Sequence, residues 1–114
     1  MVKIAWLSRH PMDVDQIVDL AAAIGHEVKG LKVTQDNVTW RASSDARADR
    51  VANKATWEKI LATTDFVAGV FPPVALEARP EGVEVLSPVS RHSKAVRADG
   101  TAAIEFHHVR WARF

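Results

Sequence analysis

The tripeptide Ser-Arg-His occurs twice in this chain, at residues 8–10 and again at residues 90–92. Arginine forks match the oxygens of a phosphate, and histidine exchanges protons near neutral pH. The two copies together therefore have the chemistry of an anion site, with phosphate as the favoured anion. Each copy follows an apolar run that predicts a buried strand. Because ligands bind beyond the carboxyl ends of the strands in open parallel sheets, we expect both copies to face one crevice.

Apolar runs predict the strands that would position these residues. The runs over Val2 to Leu7, Phe66 to Phe71 and Val83 to Leu86 are typical of strands buried on both faces. Imperfect alternation predicts a further strand over Glu27 to Thr34, with a short extension over Val38 to Trp40.

Helices are predicted between these strands. Asp13 and Gln16 have the spacing of a capping box, and Gly25 supplies the stop of the first helix. Ser43 or Ser44 is the expected cap of a second, polar helix. That helix is expected to bend near Thr56, beside Trp57, and to bury a thin stripe formed by Val51, Ala55, Ile60 and Leu61. Pro72 or Pro73 opens a short helix over Val74 to Ala78.

Alternating strands and helices predict one α/β domain over residues 1–114, a small Rossmann-like and mostly parallel sheet with helices on both faces. In the strand order 2-1-3-4 the winding reverses between the first and third strands. The crevice at that point would be lined by Ser8 to Met12 and by Phe71 to Val74, which makes Phe71 and Pro72 candidate ligand contacts.

The end of the chain predicts a different element. Asp99-Gly100 is a strong hairpin signal between Ser93 to Arg97 and Thr101 to Phe114, so residues 93–114 are expected to add an antiparallel hairpin. Simple alternation places His108 on one face of this ribbon, and His107 and Trp111 on the other.

Composition limits the possible partners. The net charge of +1 disfavours duplex nucleic acid, and no apolar stretch is long enough to span a membrane. The chain contains no cysteine and its start does not resemble a signal peptide, so we expect a cytoplasmic protein. Charge is unevenly distributed: residues 1–27 carry two cations and four anions, whereas residues 87–114 carry five cations and two anions.

Within the expected site, His10 and His92 are candidates for acid and base catalysis. Arg9 and Arg91 would hold phosphate oxygens, while Ser8 and Ser90 would donate hydrogen bonds. Asp13 competes for the same helix amides that would attract an anion at the start of the first helix.

Neither a cofactor nor a metal is expected. The chain has no Gly-x-Gly-x-x-Gly and no phosphate-loop Gly-Lys-Ser/Thr element, which disfavours an ordinary dinucleotide or nucleoside triphosphate enzyme. His107 and His108 are adjacent on a predicted strand, so their side chains point to opposite faces and do not readily share one ion.

Arg9-His10-Pro11 at the end of a first strand, in a chain of this length with alternating strands and helices, resembles the small CRISPR-associated ring-nuclease-like proteins. The resemblance covers the first 25 residues and the general architecture. It implies a compact α/β homodimer that binds or cleaves a cyclic oligoadenylate, with His10 as a site residue.

We therefore expect a protein that binds a nucleotide or cyclic oligonucleotide. Metal-independent cleavage would make it a phosphodiesterase. One alternative is a non-catalytic sink or sensor that uses the same pocket in defence or counter-defence. Another is a protein-interaction module in which the C-terminal ribbon pairs with another chain.

Overall fold

Five strands form one sheet in the order β2-β1-β3-β4-β5 in the computed structural model, which describes residues 1–114. The strands are β1 (Val2–Leu7), β2 (Leu31–Asp36), β3 (Phe66–Gly69), β4 (Val85–Val96) and β5 (Ala102–Arg113). The first four are parallel, and β5 runs antiparallel to β4. The predicted fold class and strand order are confirmed. β2 begins later than predicted because Val28–Gly30 forms a 3₁₀ turn, and residues 38–40 form no strand.

Three α-helices cover the sheet: α1 (Val14–Ile24), α2 (Ala46–Leu61) and α3 (Pro73–Glu77). The predicted capping box of α1 is present, since Asp13 accepts from the backbone of Gln16 and Gln16 accepts from the backbone of Asp13. Gly25 ends the helix with a φ of 72°. None of the three helices is both long and apolar enough to cross a membrane.

The two faces of the sheet have separate cores. On the α1 face, Leu20 of α1 packs against strand residues; the buried members of this core are Ile4, Trp6, Leu20, Ala68, Leu86 and Trp111. On the α2 face, Trp57 is fully buried among Ala5, Ile60, Val67 and Val85. Its indole nitrogen donates to the carbonyl of Ala75, which ties α3 to α2.

The buried face of α2 differs from the predicted stripe. Ile60 is buried as predicted, but Val51 and Ala55 are exposed. The helix buries Asp49, Asn53 and Trp57 in addition to Ile60, and it has no break near Thr56. Two buried polar side chains are stable here because both are fully engaged with the preceding loop. Asn53 accepts from the Arg41 amide at 2.7 Å and donates to the Arg41 carbonyl at 2.9 Å.

The cap of α2 is Asp45 rather than Ser43 or Ser44. The Ser43 hydroxyl donates to Asp49 at 2.7 Å, and its amide donates to the same carboxylate. These hydrogen bonds, together with the charge of Arg41, hold the pKa of Asp49 below its usual value. Ser43 thus fastens the loop to the helix instead of starting the helix.

β4 is much longer than predicted, because it continues from Val85 through the second Ser-Arg-His to Val96. Only Val67 and Ala68 of β3 pair with it, so beyond Ser87 its one neighbour is β5. The predicted hairpin is therefore confirmed as the outer part of the pair β4 and β5. Its turn has a hydrogen bond from the Gly100 amide to the Arg97 carbonyl and a φ of 86° at Gly100.

A bulge in this ribbon changes which side chains share a face. Arg110 pairs with Val89 but His108 pairs with Ser90, so Val109 is an extra residue in β5. Trp111 and His108 consequently both lie on the α1 face. The prediction from simple alternation, which put these two residues on opposite faces, is wrong.

Candidate functional site

The loop after β1 carries the first Ser-Arg-His and is held through its backbone. The Trp6 indole donates to the His10 carbonyl at 2.6 Å, and Gln35 donates to the Ser8 carbonyl at 3.0 Å. The Ser8 hydroxyl accepts from the His10 amide at 3.2 Å. The side chains of Arg9 and His10 take no part in these contacts; both are exposed and neither forms an ion pair.

This loop lies at the predicted reversal point of the sheet. β1 and β3 meet closely there, since a Cβ placed on Gly69 would come within 3.0 Å of the Leu7 carbonyl oxygen. Because Trp6 belongs to the core under α1, its bond to His10 directs the loop over that face. The loop therefore lies on the α1 side of β1.

Phe71 and Pro72 follow β3 on the other side of the reversal point. The Phe71 ring stacks on Trp57 with centroids 5.5 Å apart and 21° between the planes, as part of the α2-side core. Pro72 is exposed and caps α3. Phe71 is thus half-buried against the core, whereas Pro72 is exposed.

The second Ser-Arg-His is not in a loop after a strand, so that expectation is wrong. Residues 90–92 lie inside β4, where side chains alternate between faces. Ser90 pairs with His108 and His92 pairs with Phe106, which places Ser90 and His92 on the α1 face and Arg91 on the opposite face. His92 and Arg91 therefore cannot both contact a ligand on one side of the ribbon. The catalytic and binding roles of these three residues remain predictions.

His92 has an aromatic neighbour and no ion pair. Its ring lies edge-on to Phe106 with centroids 5.5 Å apart, and both side chains are exposed. On the opposite face His107 lies 3.3 Å from the Ser93 hydroxyl and 3.6 Å from Glu105. The two faces of the ribbon thus present different groups.

His108 is a site feature that the sequence analysis missed. Its Nε2 lies 2.8 Å from the Asp19 carboxylate of α1, and only 5% of its side chain is exposed. Its Nδ1 is buried and has no hydrogen-bond partner. The neighbouring Trp111 donates to the Gln16 carbonyl at 3.0 Å. These two contacts join the base of the ribbon to α1. They link residues that are far apart in the chain, and no local sequence pattern predicts such contacts.

A continuous set of contacts connects the two halves of the predicted site. The His10 carbonyl meets the Trp6 indole, and the Trp6 ring lies edge-on to Trp111 with centroids 5.7 Å apart. Trp111 in turn lies beside His108, also with centroids 5.7 Å apart. The first tripeptide and the His92 face of the ribbon therefore belong to one side of the molecule.

The free amides at the start of α1 are partly occupied by a capping side chain. Asp13 accepts from the Gln16 amide at 2.8 Å, as the capping box requires, so an anion would share the remaining amides with this carboxylate. No three His, Asp or Glu side chains come together in a group that would hold a metal ion.

We found no match to this chain among protein-family models, curated proteins or solved structures.

Proposed function

We propose that the protein binds a nucleotide-like phosphodiester, such as a cyclic oligoadenylate, above the α1 side of the loop after β1. The supporting observation is a loop whose backbone is held by three hydrogen bonds, from or to the side chains of Trp6, Ser8 and Gln35, while the side chains of Arg9 and His10 are exposed and form no ion pair. Such an arrangement orders the backbone before the ligand arrives, which lowers the entropic cost of binding. The guanidinium of Arg9 would contact the phosphate in two places.

The same residues suit cleavage without a metal. His10 would take the proton of a ribose 2′-hydroxyl, whose oxygen would attack the adjacent phosphorus. His92, on the same side of the molecule, would protonate the departing 5′-oxygen, and Arg9 would stabilise the charge that develops on phosphate. The products would be a 2′,3′-cyclic phosphate and a 5′-hydroxyl.

Binding and cleavage are tested with linear and cyclic oligoadenylates, with and without chelator. Arg9→Ala is expected to weaken binding by about 1.5 to 3 kcal/mol, the range for hydrogen bonds to charged groups, and Arg9→Lys to restore part of it. Arg47→Ala, on the exposed start of α2, is the matched control. Equal affinity of wild type and Arg9→Ala would end the proposal.

Turnover separates the enzyme from a sink. His10→Ala is expected to keep binding but to lose roughly a hundredfold or more in cleavage rate. If wild-type protein binds an oligoadenylate and forms no product, then the non-catalytic sink replaces the enzyme.

We further propose that the outer part of the ribbon, from Phe106 to the turn, packs against a second copy of the chain, with the neighbouring His92 at the edge of this contact and open to the ligand. Ile104 and Phe106 lie on its α1 face with 64% and 71% of their surface exposed, and Val96 is exposed by 78%. A two-stranded hairpin on its own is only marginally stable. Burial of these exposed apolar side chains against another surface would therefore stabilise the ribbon. The basic ribbon region and the acidic first 27 residues of another copy have opposite charge.

Light scattering after size exclusion tests the dimer. Wild-type protein is expected to be dimeric at tens of micromolar, and Phe106→Glu to shift it towards monomer because a charge would then lie in the covered patch. Glu105→Gln on the opposite face is the control. A strictly monomeric wild type would contradict the proposal.

A further inference from the structure

A cavity lies on the α2 face of the sheet, away from the loop after β1. It has a volume of about 580 Å³ and runs along β1 and β2 beneath the end of α2. The cavity exists because α2 packs over β1, β3 and β4, where its core partners are Ala5, Val67 and Val85. The α2 side of the edge strand β2 is left without a helix above it.

Three lysines line this cavity. Lys3 and Lys32 occupy paired positions in the neighbouring parallel strands β1 and β2, so their side chains leave the same face side by side. Lys59 comes from α2 above them. Ala5, which has the same orientation in β1 as Lys3, is packed under Trp57 and Ile60, and this confirms that the lysine pair faces the α2 side.

None of the three lysines has a counter-ion within the protein. The five ion pairs of the molecule involve other cations. Asp65 lies near Lys3, but its carboxylate accepts the Lys3 backbone amide at 2.8 Å. Asp36 is the single acid in the cavity lining. Like charges at paired strand positions repel each other. Because Lys3 and Lys32 are exposed, water screens part of this repulsion, and a bound anion would relieve the rest.

The rest of the lining indicates the size and character of the ligand. Threonines and an apolar floor surround the lysines; the threonines are Thr34, Thr39, Thr56, Thr63 and Thr64, and the floor is Ala5, Val38 and Ile60. The hydroxyls of Thr56, Thr63 and Thr64 donate to carbonyls of α2. Cavities that bind small molecules typically have volumes of about 300 to 1,000 Å³ and combine apolar walls with a few polar groups. Lysine acts on phosphate or carboxylate as a point charge rather than a fork.

We propose that this lysine cavity binds a small molecule carrying at least two negative charges, as phosphate or carboxylate groups. The proposal is independent of the oligoadenylate site, because Arg9 and His10 do not line this cavity. The bound anion bridges the lysine pair of the strands to Lys59 of α2 and so closes the uncovered side of β2.

Calorimetric titration with pyrophosphate and with citrate at low ionic strength tests this proposal and distinguishes phosphate from carboxylate. Wild-type protein is expected to bind at least one of the two. Lys32→Gln is expected to weaken that binding roughly tenfold or more, since it removes one charged partner. Lys54→Gln, an exposed lysine of α2 outside the cavity, is the matched control and keeps wild-type affinity.

Thermal unfolding supplies a second measurement, in which the expected effect of Lys32→Gln on stability depends on whether the anion is present. Without anion, Lys32→Gln is expected to unfold at the same or a higher temperature than wild type, because repulsion from Lys3 is relieved. With anion, wild type gains stability and the variant gains less. Arg9→Ala should behave as wild type in both assays, which separates this site from the proposed phosphodiester site.

The proposal is overturned if wild type binds neither pyrophosphate nor citrate. It is also overturned if Lys32→Gln and Lys54→Gln bind with equal affinity. In that case Lys32 would serve only to protect the open edge of β2 from pairing with other chains.

Discussion

The contact between Asp19 and His108 should determine how firmly the ribbon is held to α1. Replacing Asp19 by Ala removes a hydrogen bond of 2.8 Å between a carboxylate and an imidazole. Hydrogen bonds to charged groups contribute about 1.5 to 3 kcal/mol, but the Asp19 side chain is 43% exposed, so water replaces part of the interaction. We expect a loss of about 1 to 2 kcal/mol, or a fall in Tm of roughly 5 °C.

Part of this loss comes from the partner left behind. His108 has 5% of its side chain exposed and its Nδ1 is already unpartnered, so the variant would leave both ring nitrogens buried without a hydrogen bond. Asp19→Asn keeps an acceptor and removes the charge. Recovery of stability in the Asn variant would indicate that the hydrogen bond itself holds the ribbon, whereas no recovery would indicate that the charge of Asp19 is needed.

Denaturant unfolding and amide hydrogen exchange measure the two consequences. The Ala variant should show a lower unfolding midpoint and faster exchange at ribbon residues 90–108 than in β1. Asp15→Ala, an exposed acid of the same helix, is the control, with a loss of at most about 0.5 kcal/mol from the helix dipole. Equal losses at Asp15 and Asp19 would refute the idea that Asp19 holds the ribbon.

Two further predictions concern the loop before α2. Asn53→Ala is expected to destabilise the protein by about 2 to 3 kcal/mol, seen as a lower unfolding midpoint at unchanged slope, because two hydrogen bonds to the Arg41 backbone disappear from a buried position. Asp49 has a pKa held low by the Ser43 hydrogen bonds, so its contribution to stability is present above the unfolded-state pKa of about 3.9 and is lost as the pH falls through the lower folded-state value. Asp49→Asn should therefore be less stable than wild type near neutral pH, and the gap should narrow in acid; a gap that does not depend on pH would contradict this.

Local signals predicted several elements correctly because each depends on residues near in sequence. The apolar run of β1 is paired on both sides, by β2 and β3, and its middle is buried as expected. The capping box of Asp13 and Gln16 and the stop at Gly25 place α1 within a residue. Asp99-Gly100 forms the turn of the hairpin, where Gly100 takes the positive φ that such turns need.

The length of β4 was not predictable from alternation, because its outer part has no buried face. Pro88 also argued against a continuous strand. Hydrogen bonds in both directions between Val85 and Phe114 show that odd-numbered residues of β4 direct their amides towards β5 at this point. The Pro88 nitrogen therefore points to the other side, beyond the end of β3, where no hydrogen bond is lost.

The buried face of α2 was mispredicted for a related reason. Asp49 and Asn53 appear from their residue types to belong to a solvated surface. In the structure their hydrogen bonds to residues 41–43 satisfy them inside the protein, and the loop rather than the solvent covers them. The contacts that decide this burial depend on how the loop folds back, which hydrophobic periodicity does not describe.

The extra residue in β5 decides which residues of the second tripeptide lie on the α1 face of the ribbon. Because Val109 is unpaired, Trp111 and His108 both reach α1, and the pairing of Ser90 with His108 then sets the orientation of every outer residue of β4. In a ribbon without the bulge, a His108 facing α1 would require Trp111 to face away from it. With the bulge, His108 and Trp111 both contact α1. His92 then lies on the same side as the His10 loop, while Arg91 faces away. Under the proposed function, this orientation is compatible with His10 and His92 acting on one ligand, whereas Arg91 lies on the opposite face of the ribbon from His92.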